Sequence, residues 1–204
     1  MRPRMQFPLS KLQIMGRRIF AVYPDADTYR QAFYPGSANS PRWAAVDAML
    51  ARTETIESAW QAFDMPSEGR SELEGDLFQF RSGTLAIRDA ADKRFRFRNR
   101  FKGSVEHLPF FVDGNLCHLV HFSRDSDALD YSLTDYHRIS NGAIIAGSGG
   151  MEVFRSDFFT DDWLFRIVGN ICIYTVDSGP GSFYDIYHNE GMTGLEFHER
   201  RFAP

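Results

Sequence analysis

Leu164-Phe165-Arg166-Ile167-Val168-Gly169-Asn170-Ile171-Cys172-Ile173-Tyr174-Thr175-Val176-Asp177 reads as two apolar strands around a tight connection. Ser182 to His188 follows, and then Gly191-Met192-Thr193-Gly194-Leu195-Glu196-Phe197. Gly169-Asn170 breaks the apolar run as a turn does. Phe183, Ile186 and Tyr187 keep helical spacing, and Gly191 suits the left-handed residue after a helix end. Met192 to Phe197 returns to extended chain. The stretch predicts strand, strand, short helix, strand, and it carries no obvious catalytic group.

Working outward, strands outnumber helices. Arg18 to Tyr23 is a β run ended by Pro24-Asp25. Asp25 or Asp27 caps a predicted short helix through about Phe33, with Tyr29 and Phe33 one turn apart. Ser40-Pro41 is a helix start, continued by Trp43, Val46 and Leu50. Thr55 to Phe63 reads as a second short helix stopped by Pro66. Leu77–Phe80 and Thr84–Ile87 are strands, and Asp89 opens a helical piece. Val105 to Phe111 is a strand whose Pro109 suggests an edge or a bulge. Asp113-Gly114 is a hairpin signal, with Leu116 to Phe122 returning. Ile139, Ile144-Ile145 and Met151 to Phe154 look extended, and Ser156-Asp157 caps a predicted single helical turn. The expected fold is α+β, an antiparallel or mixed twisted sheet with short helices inserted between strands. Residues 64–76 are polar and Gly-punctuated. They divide an N-terminal strand-plus-helices region, 1–76, packed on the rest, from an α+β core, 77–204.

Composition sets the outer limits. The 204 residues fit one large domain or two small ones. The 19 phenylalanines point to an aromatic interior or interface. A net charge of -4 argues against nucleic-acid binding by the whole chain, though not against a local basic patch. Cys117 and Cys172 each sit in an apolar run, as buried thiols do. Phe7, Leu9, Leu12 and Ile14 are interrupted by polar residues and form no secretory core, and no apolar run reaches the ~20 residues of a membrane span. A soluble, cytoplasmic protein is expected.

Lys93-Arg94-Phe95-Arg96-Phe97-Arg98-Asn99-Arg100-Phe101-Lys102 is the sharpest local signal. Arginine neutralises phosphate and phenylalanine stacks on bases, so Arg94, Arg96, Arg98 and Arg100 form a possible nucleic-acid patch. Two other readings stand beside it. In one, alternation buries Phe95 and Phe97 while the arginines face water; in the other, the patch meets an acidic protein. His118 and His121 lie three apart on a strand and so point to opposite faces, which excludes joint metal coordination. Gly147-Ser148-Gly149-Gly150 lacks the Lys-Ser/Thr of a phosphate loop and the helix that follows a nucleophile elbow. No metal, cofactor or catalytic residue is expected.

Several segments resemble one family. They are Gly83-Thr84-Leu85-Ala86-Ile87-Arg88-Asp89-Ala90-Ala91, Val105-Glu106-His107-Leu108-Pro109 and Asp127-Ala128-Leu129-Asp130. Leu164-Phe165-Arg166-Ile167, Ile173-Tyr174-Thr175-Val176-Asp177 and Gly191-Met192-Thr193-Gly194-Leu195-Glu196-Phe197 complete the set. In order and spacing they resemble the immunity protein 11 family of bacterial polymorphic-toxin systems, over residues 77–200. The chain departs from the pattern in its arginine–phenylalanine run and in Met192, where leucine is usual; the N-terminal third matches only by position. The resemblance implies a non-enzymatic protein that binds and blocks a cognate secreted toxin, often a nuclease domain. Carboxylates that mimic phosphates would serve such binding. The residues expected to do so are Asp125, Asp127, Asp130, Asp157, Asp161 and Asp162, with Asp127 and Asp130 also suited to capping turns.

Overall fold

The run Arg18–Pro24 is apolar on both faces, the pattern of a strand covered on both sides. In the computed structural model it lies in the middle of a six-stranded sheet. The structure describes residues 17–32, 41–69, 72–81, 84–138, 144–146, 152–167 and 172–204. Its strands are β1 (Arg18–Pro24), β2 (Gln31–Ala32), β3 (Asp64–Met65), β4 (Ser67–Glu68), β5 (Leu77–Arg81), β6 (Thr84–Arg88), β7 (Val105–Val112) and β8 (Asn115–Phe122). They continue as β9 (Asp125–Ser126), β10 (Tyr136–Arg138), β11 (Ile144–Ala146), β12 (Val153–Phe154), β13 (Phe165–Ile167), β14 (Ile173–Asp177) and β15 (Leu195–Phe202). The α-helices are α1 (Pro41–Leu50), α2 (Asp89–Phe95), α3 (Phe97–Arg100) and α4 (Phe183–Asn189). The fold is α+β, with mixed sheets and short inserted helices.

The six-stranded sheet has the order β12-β15-β1-β14-β13-β9 and the five-stranded sheet β3-β7-β8-β6-β5. Both are mainly antiparallel, with short parallel strands at their margins: β12 on β15, β9 on β13, and β3 on β7. One core joins the sheets. Val22 and Ile173 of the first meet Leu85, Ile87, Val120 and Phe122 of the second, around Phe95, Phe97, Leu164, Phe183 and Ile186. A second core lies between the far face of the five-stranded sheet and α1, and holds Trp43, Leu50, Phe63, Phe78 and Phe110. The third covers the far face of the six-stranded sheet with Ala128, Leu129, Phe154 and Phe158. Among the described residues twelve phenylalanines are buried, so the aromatic content is spent on the interior.

A cut at residue 76 would remove β1 from one large sheet and β3 from the other, so the expected boundary does not separate two units. Residues 75–77 are a seam instead. Asp76 accepts hydrogen bonds through Oδ2 from Thr193 N at 3.0 Å and Thr193 Oγ1 at 2.9 Å. Leu77 N donates to Thr193 O, and Asp25 N to Gly194 O, both at 3.0 Å. Gly194 has φ +103° and faces the backbone of Leu77 and Gly75; a Cβ there would overlap the Leu77 carbonyl oxygen.

Other expectations divide. Gly191 takes φ +66° after α4, as read from the closing stretch, and Ser182 caps the helix start by accepting from Asp185 N at 3.2 Å. Asp113 and Gly114 both have positive φ, the geometry of a tight hairpin turn. Pro109 sits on an internal strand rather than an edge. The N–H groups of Phe111 and Asp113, on the same side of β7, donate to Phe63 O and Met65 O. The chain at Trp60 has not yet begun to pair there, so the missing N–H of Pro109 breaks no ladder. The helix expected at 25–33 is a turn, with Thr28 N bonded to Asp25 Oδ1, followed by β2; Phe33 lies outside the described residues. The helix expected at 55–63 contracts to one 3-10 turn, Glu57–Ala59: the chain becomes extended at Trp60, whose indole donates to Pro109 O at 2.8 Å, and Phe63 O accepts from Phe111 N at 2.8 Å. Ser156-Asp157 forms a turn and no helix. The Gly169-Asn170 turn and the stretch 147–150 lie outside the described residues, as do Ile139 and Met151.

Candidate functional site

The residues that set up the candidate surface are apolar. Ala128, Leu129, Phe154 and Phe158 are buried against the six-stranded sheet and anchor two segments, 125–135 and 152–162. The segments are also sewn to each other. Asp130 N donates to Val153 O at 2.8 Å and Arg155 N to Ala128 O at 3.0 Å. The buried Thr134 hydroxyl donates to Val153 O at 3.1 Å and accepts from Val153 N at 3.0 Å. With the apolar side chains turned inward, Asp127, Asp135, Asp157 and Asp161 are left outside, whereas Glu152 is buried and pairs with Arg200 at 2.8 Å. The two segments contain eight carboxylates and a single basic residue, Arg155.

The six aspartates expected to bind a partner separate into three groups. Asp127 and Asp157 come together, flanking Arg155 at 3.5 and 3.4 Å. Both are well exposed, so these pairs contribute little and leave the carboxylates reachable. Asp161 is exposed nearby, beside Lys102 and Ser178 in a shallow notch. Asp125 and Asp162 are engaged elsewhere. Asp125 pairs at 3.0 Å with Arg166, a buried guanidinium that also donates to Leu50 O and Phe122 O; Asp162 pairs with Arg124 at 2.9 Å. Asp130 is a turn cap, bonded to Ser132 N at 2.9 Å; hydrogen bonds from Ser132 hold its carboxyl below the usual range. Asp127, the other residue suited to a cap, is exposed.

Asp125→Asn is therefore expected to act on stability. It removes the charge facing a buried arginine and should cost about 2 kcal/mol in urea unfolding. The same change at Asp157 should cost less than about 0.5 kcal/mol.

Two residues of this surface have no counterpart in the sequence reading. Leu133 and Phe159 are large and apolar, yet 45 % and 44 % exposed. The Phe158-Phe159 pair carries the only available signal: neighbours on extended chain point opposite ways, so burying Phe158 turns Phe159 outward.

The basic run is built differently from the alternating strand considered above. It forms α2 and α3, joined by Arg96 in the left-handed conformation at φ +52°. Phe95 and Phe97 both enter the main core. Four of its six cations meet carboxylates: Lys93 with Asp89, Arg94 with Asp76, Arg98 with Asp92, and Arg100 with Glu190. Arg94 also lies over the Phe95 ring at 4.1 Å. The charge is thus largely compensated on the molecule's own surface.

His118 and His121 do face opposite sides of β8. His118 lies beside Asp89, and His121 bonds Glu54 O at 3.1 Å. The one group of potential metal ligands among the described residues is Asp89, Asp92 and His118. Cys117 is buried, which pushes its thiol up to about 12 and keeps it unreactive. Cys172 stands 3.8 Å from the Tyr23 hydroxyl, and burial raises its thiol too. Among the described residues no helix is long and apolar enough to cross a membrane. No protein-family model matches this chain, and no curated protein matches it either.

Proposed function

We propose that this chain is an immunity-type binding protein of the cytoplasm that captures and blocks a cognate protein toxin, protecting the cell that makes both. The observation that carries the reading is the joined pair of segments 125–135 and 152–162. It leaves Asp127 and Asp157 exposed around Arg155 and Asp161 exposed on the same segment, and it exposes Leu133 and Phe159 as well. Exposed apolar side chains within a charged field are the makings of an interface: the apolar groups supply affinity, the charges steer encounter and select the partner. The complementary partner has a basic cleft, as a nuclease toxin has for phosphates. The family resemblance of residues 77–200 points the same way. Nucleic-acid binding by residues 93–102 is the weaker alternative, since most of its cations already meet carboxylates.

The test is direct binding to the toxin encoded beside this gene. A nanomolar complex is expected, with an association rate that falls as salt is raised. Asp127→Lys combined with Asp157→Lys should weaken it about tenfold or more, mostly through slower association. A purified chain that forms no complex with that toxin would refute the proposal. Salt-dependent DNA or RNA binding, lost when Arg94, Arg96, Arg98 and Arg100 are neutralised, would instead support the alternative.

A further inference from the structure

We infer that Asp89, Asp92 and His118 form a binding site for a zinc-class divalent transition-metal ion, a feature independent of the toxin reading. Asp89 and Asp92 are three residues apart on α2, so their carboxylates share one helix face. His118 comes from β8, where it pairs in register with Ile87, two residues before Asp89. One ligand atom from each of the three lies within 4.8 Å of the other two.

The separation inside this group is informative. His118 Nε2 stands 3.4 Å from Asp89 Oδ1. Hydrogen bonds of this kind centre near 2.9–3.0 Å, so the pair is long for one. Two ligands bound tetrahedrally at about 2.0–2.1 Å are about 3.3 Å apart, the edge of a zinc tetrahedron. His118 is also only 4 % exposed. One imidazole with two carboxylates suits zinc and its neighbours, whereas magnesium and calcium favour oxygen-only sites.

Both aspartates now face cations that can yield. Asp89 pairs with Lys93, whose side chain is 74 % exposed; Asp92 takes Arg98 Nε at 2.7 Å, and that arginine is 38 % exposed. Either side chain can turn into water when a divalent ion enters. Asp92 must close the remaining gap to the ion, and the bond it gives up is the one to the Arg98 side chain. Its second hydrogen bond, from Arg98 N at 2.8 Å, still holds the carboxylate beneath the helix.

The experiment uses the full chain stripped with a chelator. Zinc is titrated by calorimetry, cobalt by visible absorption, and thermal unfolding is followed with each ion and with magnesium. Expected are one zinc per chain, the intense visible bands of tetrahedral cobalt, and a higher Tm in zinc but not in magnesium. Asp89→Asn and His118→Gln should each weaken zinc binding at least tenfold and abolish the Tm rise. His198→Gln, a surface change, should do neither. Folding of each variant is checked by circular dichroism in chelator. Should His118→Gln fail to fold, the partly exposed Asp89→Asn decides alone. Absence of zinc binding by the unaltered chain, or unchanged binding by folded Asp89→Asn, overturns the site.

Discussion

Gly194→Ala is expected to cost about 3 kcal/mol or more, enough to unfold a marginal domain. Two effects combine. Gly194 has φ +103°, a backbone region that side-chain-bearing residues rarely occupy and that costs about 1–3 kcal/mol to enforce. The added methyl would also overlap the Leu77 carbonyl oxygen, a backbone atom held by the β5–β6 pairing. Nor can the segment retreat, because Thr193 and Gly194 on the same loop bond Asp76, Leu77 and Asp25. Gly191→Ala is the control. Its φ is +66° and nothing lies within 4 Å of the position, so it should cost only about 1 kcal/mol. Urea unfolding measures both as midpoint shifts at constant slope. Equal shifts would mean that the Gly75–Gly194 seam is not closely packed.

The second large effect is set by acid. Burial holds His107 down to about 4, with Arg98 adding to the shift, and lowers His118 and His121 as well. A histidine in the unfolded chain titrates near 6.5. Above that pH both states are neutral and nothing is lost. Between 6.5 and about 4 the unfolded chain binds protons that the folded chain refuses, so stability falls as pH falls. His107 alone is expected to remove about 3 kcal/mol by pH 4, below which its contribution stays constant. Urea unfolding in chelator at pH 7, 6, 5 and 4.5 reads the slope. His107→Phe, packed in the same place between Phe97 and Phe101, should flatten it. Asp89 and Asp130, whose pKa values are lowered by hydrogen bonds, lose their contribution only below this window.

Much of the fold was legible because its signals are local. The Asp113-Gly114 hairpin, the short helix of Phe183, Ile186 and Tyr187 ending before Gly191, and the β run at Arg18 to Tyr23 each follow from a few adjacent residues. What failed depends on distant partners. The helix expected at 55–63 stops at Ala59 because Trp60 and Phe63 bond to β7, about fifty residues away along the chain, and nothing within that stretch announces it. Thr193 and Gly194 turn the polar, glycine-bearing stretch at 75–76 from a linker into a seam. The same holds for the sites. Asp127, Asp157 and Asp161 could be chosen as exposed carboxylates, but the capture of Asp125 by Arg166 needs the pairing of β9 with β13. Asp89 and Asp92 show their spacing on the page, while His118 joins them only through the register of β6 and β8.

The position of β1 also bears on how the chain is born. Val22 pairs with Ile173 and Phe197, so this apolar strand has no ladder until β14 and β15 leave the ribosome. Synthesis of the roughly 150 residues between takes on the order of 10–30 s. The antiparallel hairpins of β5 to β8 can close during that interval, since they are nearly contiguous. This strand therefore waits for partners made about 150 residues later, and the growing chain carries an exposed sticky segment in the meantime. Any truncated product lacking residues 173–202 keeps that segment permanently, and aggregation or proteolysis is its natural fate.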